Sequence, residues 1–339
     1  MIQEHEAVAV LESAPGKRIL VVGDLMLDRF IFGNVSRISP EAPVPVVHVS
    51  EEKNMPGGAA NVALNLRAFG VGAQVAGFVG DDRVGEELKQ VLGADEIDTR
   101  GVLTVPGAET IMKTRVIAAR QQVCRVDRED LASLRAADIQ AFSALVSELV
   151  RSSDGVIIED YGKGVVSQAT VDAVVSAARE AGVPVGVDPK DNHELNFDGI
   201  TVATPNLREA ILASRGVDDG ESARAWGESE LQALGDELLA KWSADLVMIT
   251  LGPQGMFLAS RDGMYDQIPT HAREVFDVSG AGDTVIALTV LALACGAGHR
   301  LAAELANHAA GIVVGKVGTA TCSPEELRAS IVRGESGTA

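Results

Sequence analysis

Residues Asp277-Val-Ser-Gly-Ala-Gly-Asp-Thr-Val-Ile-Ala287 decide how the chain is read. Gly280 and Gly282 flank Ala281 where a loop turns into a helix, and the apolar run from Thr284 to Cys295 supplies that helix. A helix that begins there presents unpaired backbone N–H groups and the positive end of its dipole, an anion site suited to phosphate. Asp283 stands in the first turn, close enough to take a proton from a hydroxyl facing that phosphate. One short element thus offers both a phosphoryl cradle and a general base. The simpler alternative is that Asp283 caps the helix and the glycines only make the turn.

Around this element the chain alternates short apolar runs with helical stretches. Strands are expected at Arg18–Asp24, Ala73–Val79, Gly155–Glu159, Val183–Val187, Ile200–Ala203 and Leu246–Leu251. Helices are expected around Val84–Leu92, Ala136–Val150, Thr170–Ala181 and Leu207–Trp242, with two more from Gly282 and Arg300. Such alternation implies parallel βαβ units and a three-layer α/β sandwich. Five strands end in polar pairs or triplets: Gly23-Asp24, Glu159-Asp160, Asp188-Pro-Lys190, Thr204-Pro-Asn206 and Thr250-Leu-Gly252. Each could be a plain surface turn, but in an open α/β sheet the carboxyl ends of the strands are where ligands bind.

Two segments do not fit the main sheet. Phe30 to Ser50 carries Pro40, Pro43 and Pro45 among alternating valines, and proline is excluded from central strands. Thr110 to Val126 is a second β candidate, and the two could pair as a small lid. Between them Gly57-Gly-Ala-Ala-Asn61 feeds a helix that stops at Gly70.

Composition narrows the function classes. The 339 residues carry 29 basic against 48 acidic side chains, net −19, which disfavours nucleic acid and anionic membranes as partners. A phosphate site must then be local, built from backbone N–H groups, a few Lys or Arg, and Mg²⁺. Cys124, Cys295 and Cys322 are far apart and lack paired spacing, which fits reduced thiols in a cytosol with neither a disulfide framework nor a zinc site. His48, His193, His271, His299 and His308 show no ligand spacing, and Trp226 and Trp242 most simply pack a long helix. Met1 to Pro15 is acidic where a secretory signal is basic, and reads as a short helix or tail. The longest apolar segment, Val285 to Cys295, is well short of the ~20 residues of a transmembrane helix and reads as buried core. Gly70-x-Gly72 precedes a strand instead of following one and lacks the third glycine of a dinucleotide fingerprint, which weakens a dehydrogenase reading. Gly162-Lys163-Gly164 lacks the spacing of a Walker loop.

Gly57-Gly58-Ala-Ala-Asn61-Val-Ala63, with Gly70 and Gly80 following, resembles the first signature of the PfkB, or ribokinase-like, carbohydrate kinases. Asp277 to Ala287 resembles their second signature, Asn206-Leu-Arg-Glu209 their Asn-x-x-Glu element, and Thr250-Leu-Gly-Pro-Gln-Gly255 their nucleotide loop. The resemblance spans nearly the whole chain. It implies residues 18–330 as one kinase domain with its lid near 30–50 and 110–126, residues 1–17 as a tail or short helix, and 331–339 as a C-terminal tail.

Within that family the segments Gly23–Asp28, Val35–Pro45, Glu159–Gly164 and Asp277–Asp283 resemble the branch that phosphorylates heptose 7-phosphate for ADP-heptose and lipopolysaccharide-core synthesis. The resemblance implies transfer of the ATP γ-phosphoryl to the anomeric hydroxyl of D-glycero-D-manno-heptose 7-phosphate. Many relatives fuse the kinase to an adenylyltransferase with a His-x-Gly-His motif. The sequence lacks that motif, so the stand-alone kinase form is expected. Another sugar or sugar-phosphate kinase of the same fold, or a non-catalytic sugar-binding regulator, stays open.

On this resemblance Asp283 is the base, and the N–H groups of Gly280, Ala281 and Gly282 meet charge on the transferred phosphoryl. The helix N-terminus is expected to keep Asp283 ionised at neutral pH. Glu209 orders Mg²⁺ through water, with Asn206 beside it, or the two residues form only a helix cap. Lys190 and the loop residues Thr250, Gly252 and Gly255 face ATP. Asp28, Gly57, Gly58 and Asn61 meet the sugar. Asn34, Arg37, Lys113, Arg115, Arg120 and Lys163 are candidates on the substrate side, with Lys163 nearer ATP than the lid residues, and K⁺ near Asp277 is an open possibility. A cytoplasmic homodimer paired through lid edges is expected, because exposed strand edges seek partners.

Overall fold

The protein is represented by a computed structural model that describes residues 4–119, 121–129, 134–191, 193–272, 275–316 and 318–336. The chain runs α1 (Glu4–Ser13), β1 (Arg18–Gly23), β2 (Leu25–Ile38), β3 (Pro45–Gly58), α2 (Ala59–Arg67), β4 (Gly72–Gly80), α3 (Arg83–Ala94) and β5 (Asp98–Val105). It continues through β6 (Ile111–Ala118), β7 (Gln121–Arg128), α4 (Ala136–Val150), β8 (Gly155–Glu159), α5 (Gln168–Ala181), β9 (Val185–Asp188), β10 (Val202–Ala203), α6 (Leu207–Arg215) and α7 (Glu228–Trp242). It closes with β11 (Leu246–Thr250), β12 (Met256–Ser260), β13 (Tyr265–Ile268), α8 (Ala281–Ala294), α9 (His299–Val313) and α10 (Pro324–Ser336).

Nine strands form one sheet in the order β13-β12-β11-β10-β9-β8-β1-β4-β5. All neighbours pair in parallel except β11 with β12 and β12 with β13. Strands buried on both faces need no polar alternation, and β1 and β8 accordingly read as continuous apolar runs. Their alternate residues feed two cores. Ile157 joins α1, α2, α3, α8, α9 and α10 on one face, whereas Val156 and Ile158 join α4, α5, α6 and α7 on the other. The expected three-layer α/β sandwich is therefore the observed one.

The helix of the second signature lies at the centre of the first core. Val285, Ile286, Leu288, Val290 and Leu291 of α8 are all buried, each contributing roughly 1.5–3 kcal/mol as an upper estimate. Gly186 of β9 sets how closely the helix lies on the sheet, because a Cβ there would sit 2.3 Å from Val290 Cγ2. This contact sets the spacing between β9 and the middle of α8.

A second sheet, in the order β3-β2-β6-β7, stands outside the main one. Its β2 and β3 pair antiparallel from Leu25↔Gly58 at the strand edge outwards to Ile38↔Pro45, with irregularities at Phe32/Gly33 and Val35/Arg37. Its far part exposes Val35, Ile38, Val44, Val49, Val123 and Val126.

Several expectations need correction. The stretch 207–242 is two helices, because Gly216 adopts a left-handed cap with φ 77° and ends α6. Trp242 is buried in α7, but Trp226 belongs to the connection, where its Nε1 donates to the Glu221 carbonyl oxygen at 2.8 Å. Strands β5, β12 and β13 and helix α10 are additional elements. Of the two alternatives for the N-terminus the short helix is observed, and Ala7, Val10 and Leu11 of α1 are buried in the core. The boundary at 330 falls inside α10, whose Ile331 is 3% exposed. No described helix is long and apolar enough to cross a membrane.

Candidate active site

The five polar strand ends noted in the sequence belong to β1, β8, β9, β10 and β11, which are consecutive neighbours in the sheet. Their ends therefore form one continuous edge. Asp24, fully buried just beyond β1, organises it. Its Oδ2 accepts from the backbone N–H groups of Tyr161 at 2.9 Å and Lys163 at 3.0 Å, and its Oδ1 from that of Val165 at 3.2 Å. The Glu159-Asp-Tyr-Gly-Lys-Gly164 turn is thereby fastened to the first strand.

Asp283 sits above this edge, 6% exposed, in the first turn of α8. Asn61 Nδ2 donates to its Oδ2 at 2.5 Å, and the Tyr161 hydroxyl donates to its Oδ1 at 3.0 Å. Helices α2 and α8 are further joined where Thr284 Oγ1 donates to Asn65 Oδ1 at 2.9 Å. Gly280 caps α8 with φ 79°, and a Cβ at this position would approach Asn61 Nδ2 to 2.9 Å. A side chain would thus meet both a disfavoured backbone and the Asn61 donor of Asp283. Burial pushes the Asp283 carboxyl up, while the bonds from Asn61 and Tyr161 pull it down. The helix N-terminus is expected to keep it ionised, but burial opposes ionisation and raises the carboxyl, with the side-chain donors countering it. Of the N–H groups expected to face a phosphoryl group, that of Ala281 bonds the Val278 carbonyl oxygen at 3.3 Å. Gly282 belongs to the first-turn N–H groups that have no intrahelical partner.

Beneath the α8 mouth lies a bank of carboxylates. Glu159 and Asp188 are paired neighbours on β8 and β9, and a Cβ on Gly282 would lie 3.6 Å from Asp188 Oδ2. Both oxygens of Glu159 are buried without a hydrogen-bond partner. Burial lifts the carboxyls of Glu159 and Asp188 well above their ordinary range, and neighbouring charge adds to it, from Asp188 on Glu159 and from Glu209 on Asp188. Burial likewise raises Glu209, with Lys190 opposing. Orphaned carboxylate oxygens and mutual like-charge repulsion are what a bound cation would relieve, so the residues fit Mg²⁺. Among the described residues no three His, Cys, Asp or Glu side chains converge to hold a metal by themselves. That suits an ion that keeps its waters and shares phosphate oxygens.

Asn206 and Glu209 form a complete capping box: the Glu209 N–H reaches Asn206 Oδ1 at 3.0 Å, and the Asn206 N–H reaches Glu209 Oε2 at 2.9 Å. The cap alternative therefore holds, and Asn206's side-chain oxygen is committed to it. Glu209 Oε1 remains turned to Lys190 Nζ at 3.6 Å. Asn206 bridges Thr250, and the loop Gly252–Gln254 makes a tight turn closed where Leu251 N–H bonds the Gly255 carbonyl oxygen at 2.8 Å. Lys190, Asn206, Glu209, Thr250, Gly252 and Gly255 are thus gathered on the β9 to β11 side.

On the β1 side, Asp28 pairs with Arg115 at 2.6 Å, and Gly57 packs so closely that a Cβ would be 2.8 Å from Asp28 Oδ2. Gly58 ends β3 directly before α2. Lys113 Nζ lies 5.3 Å from the Tyr161 ring centroid, and burial pulls its ammonium down. Lys163 Nζ lies 2.6 Å from Glu129 Oε2 on this side, while the neighbouring Gly162 faces Lys190. Asn34 and Arg37 are exposed on the far part of β2 and are not brought to the site; at ~3.3 Å per residue Arg37 lies ~30 Å along the strand from Asp28. Arg120 lies outside the described residues. In the sequence Tyr161 and Glu159 stand within the Glu159–Gly164 resemblance and Asp188 as a polar strand end, but none of the three is given a role there.

A family model described as pfkB family carbohydrate kinase matches residues 17–326. The chain is 46% identical over 312 residues to the "Bifunctional protein HldE" of Geobacter metallireducens, covering 92% of this chain and 62% of that protein. It therefore spans less than two thirds of that relative's length. Among solved structures it resembles Arabidopsis thaliana ribokinase complexed with ribose and ATP, with TM-score 0.68, 19% identity and coverage of 94% and 98% of the two chains. It also resembles phosphofructokinase-2 from Escherichia coli in complex with potassium, with TM-score 0.72, 20% identity and the same coverage. At these identities the two structures speak for the fold.

Proposed function

Since the chain belongs to the pfkB family of carbohydrate kinases, and so is a phosphotransferase acting on a sugar hydroxyl, we propose that its reaction is transfer of the ATP γ-phosphoryl to the anomeric hydroxyl of D-glycero-D-manno-heptose 7-phosphate. The observation that carries this reading is Asp283, held by two donors at the mouth of α8 between a basic lid and the nucleotide-side loop. The heptose assignment rests on the Gly23–Asp28, Val35–Pro45 and Glu159–Gly164 resemblances, and the relative named HldE supports it.

In this reading the sugar sits over Gly57 and Gly58, with Asp28 and Asn61 accepting and donating to its hydroxyls. Asp283 takes the anomeric proton as the oxygen attacks phosphorus, and the N–H of Gly282 meets charge on the transferred group. Lys113, Arg115 and Lys163 surround the place for the 7-phosphate. Lys113 is the best placed of the three, since Arg115 and Lys163 already face Asp28 and Glu129. Lys190 and the 250–255 loop receive ATP. Asp188 and Glu209 would hold Mg²⁺ through water. When bound, Mg²⁺ neutralises charge on the ATP phosphates. Asp277 joins Ser279 N–H at 2.9 Å to Gly318 N–H at 3.1 Å, a junction beside which K⁺ is proposed to bind. The protein is proposed to work in the cytoplasm as a lid-paired homodimer, supplying the 1,7-bisphosphate for ADP-heptose and lipopolysaccharide-core synthesis.

Purified protein with ATP and a panel of heptose 7-phosphate, hexoses, hexose phosphates and nucleosides tests the assignment. The heptose phosphate should give the highest kcat/KM, with a new anomeric phosphate by phosphorus NMR. Preference for another acceptor would replace the substrate and keep the kinase. No transfer to any acceptor would favour a sugar-binding regulator.

A further inference from the structure

Tyr161 lies in the Glu159–Gly164 turn and not on the helix that carries the base, yet its hydroxyl donates to Asp283 Oδ1 at 3.0 Å across 122 residues of sequence. The turn is fixed independently, through the three backbone bonds to Asp24. Lys113 of the lid strand β6 covers the ring from above at 5.3 Å. The phenol is thus held on two sides and aimed at one oxygen of the base. Asn61 takes the other oxygen.

We infer that Tyr161 is a positioning residue for phosphoryl transfer: its O–H fixes the rotation of the Asp283 carboxylate and holds it ionised in a buried site. A carboxylate oxygen has two lone-pair directions, so a donor on each oxygen still leaves one direction per oxygen for a substrate hydroxyl. The surroundings explain why the donor matters. Asp28 on β2 presents negative charge toward Asp283 and burial works in the same sense, while the buried carboxyls of Glu159 on β8 and Asp188 on β9 lie close enough to be raised by the charge of Asp283 itself. The nearby cations are largely committed, Arg115 to Asp28 and Lys163 to Glu129, leaving Lys113 above the ring. Hydrogen bonds to the charged form are then what offsets desolvation and like charge. Burial and the Asp283 charge also raise Tyr161 well above its ordinary range, so it stays a phenol and remains a donor across the working pH.

The role of Asp283 as base rests on the kinase reading, but its titration does not, so the two can fail separately. Tyr161→Phe keeps the ring and removes the donor. The Asp283 carboxyl, assigned by loss of its signal in Asp283→Asn, is titrated by carbon-13 NMR in the 339-residue chain without substrate. Its midpoint should rise by roughly one pH unit in Tyr161→Phe. With heptose phosphate and ATP, the acidic limb of kcat/KM should move up equally, with recovery toward wild-type rates at high pH and an unchanged KM for ATP. An unmoved NMR midpoint overturns the inference, as does a uniform loss of rate at every pH or a variant that no longer folds, either of which makes the hydroxyl merely structural. If wild type transfers phosphate to no acceptor while the midpoint still moves, the kinase reading fails and the Tyr161 assignment stands.

Discussion

Glu159 ends β8 with two carboxylate oxygens that meet no donor, at no measurable exposure. Such a group is far easier to bury protonated than charged, and burial with the nearby Asp188 raises its carboxyl accordingly. Its folded-state value lies above its unfolded one, so its contribution to stability is fully present below about pH 4.5 and is lost as pH rises toward the folded value. Glu159→Gln mimics the protonated acid and should melt higher than wild type at pH 8, with the gap closing toward pH 5, as read by calorimetry without Mg²⁺. A gap independent of pH would show that Glu159 is not the titrating burden. The sequence marked Glu159 as a polar strand end but not as a buried acid, because an apolar run ending in Glu reads equally well as a turn. Asp283 was legible because spacing alone put it in the first turn of a glycine-bounded helix. Its Tyr161 partner was not, since nothing local links residues that meet only when β8 ends beneath α8.

At the scale of elements, the meeting of α8 with the strand ends is the feature on which the site depends. Gly280 is where that junction is most exposed to change. Gly280→Ala should cost about 1–2 kcal/mol for the left-handed backbone, and the new Cβ should push Asn61 off Asp283. Activity should therefore fall much further than stability, measured by kcat beside a urea melt. Equal and small effects on both would mean that the cap tolerates a side chain. The order of elements was largely readable, because parallel strands buried on both faces announce themselves as apolar runs. Residues 207–242 were misread as continuous helix because strong helix formers masked Gly216, Gly220 and Gly227. The antiparallel β12 and β13 were missed because they are short and lack the helices that mark the other strands.

For the whole molecule, the division between sandwich and lid decides how a substrate is enclosed. The lid was legible from proline placement, and its two halves pair through β2 and β6 in parallel, joining segments more than seventy residues apart. Its exposed valines and Ile38 are surface that a second copy could cover. If the lid is the dimer contact, sedimentation at micromolar concentration should give a dimer for wild type and a monomer for Ile38→Asp; a wild-type monomer would contradict the pairing. The side-chain candidates Asn34 and Arg37 failed within one chain because sequence position does not reveal how far a long ribbon carries its tip from Asp28.

The most direct test of the whole account is single-turnover transfer from ATP to heptose 7-phosphate by wild type and Asp283→Asn, with substrate binding measured alongside. The account predicts that the variant binds both substrates while transfer falls by at least ~10²–10⁴-fold. Transfer within a few-fold of wild type would contradict it.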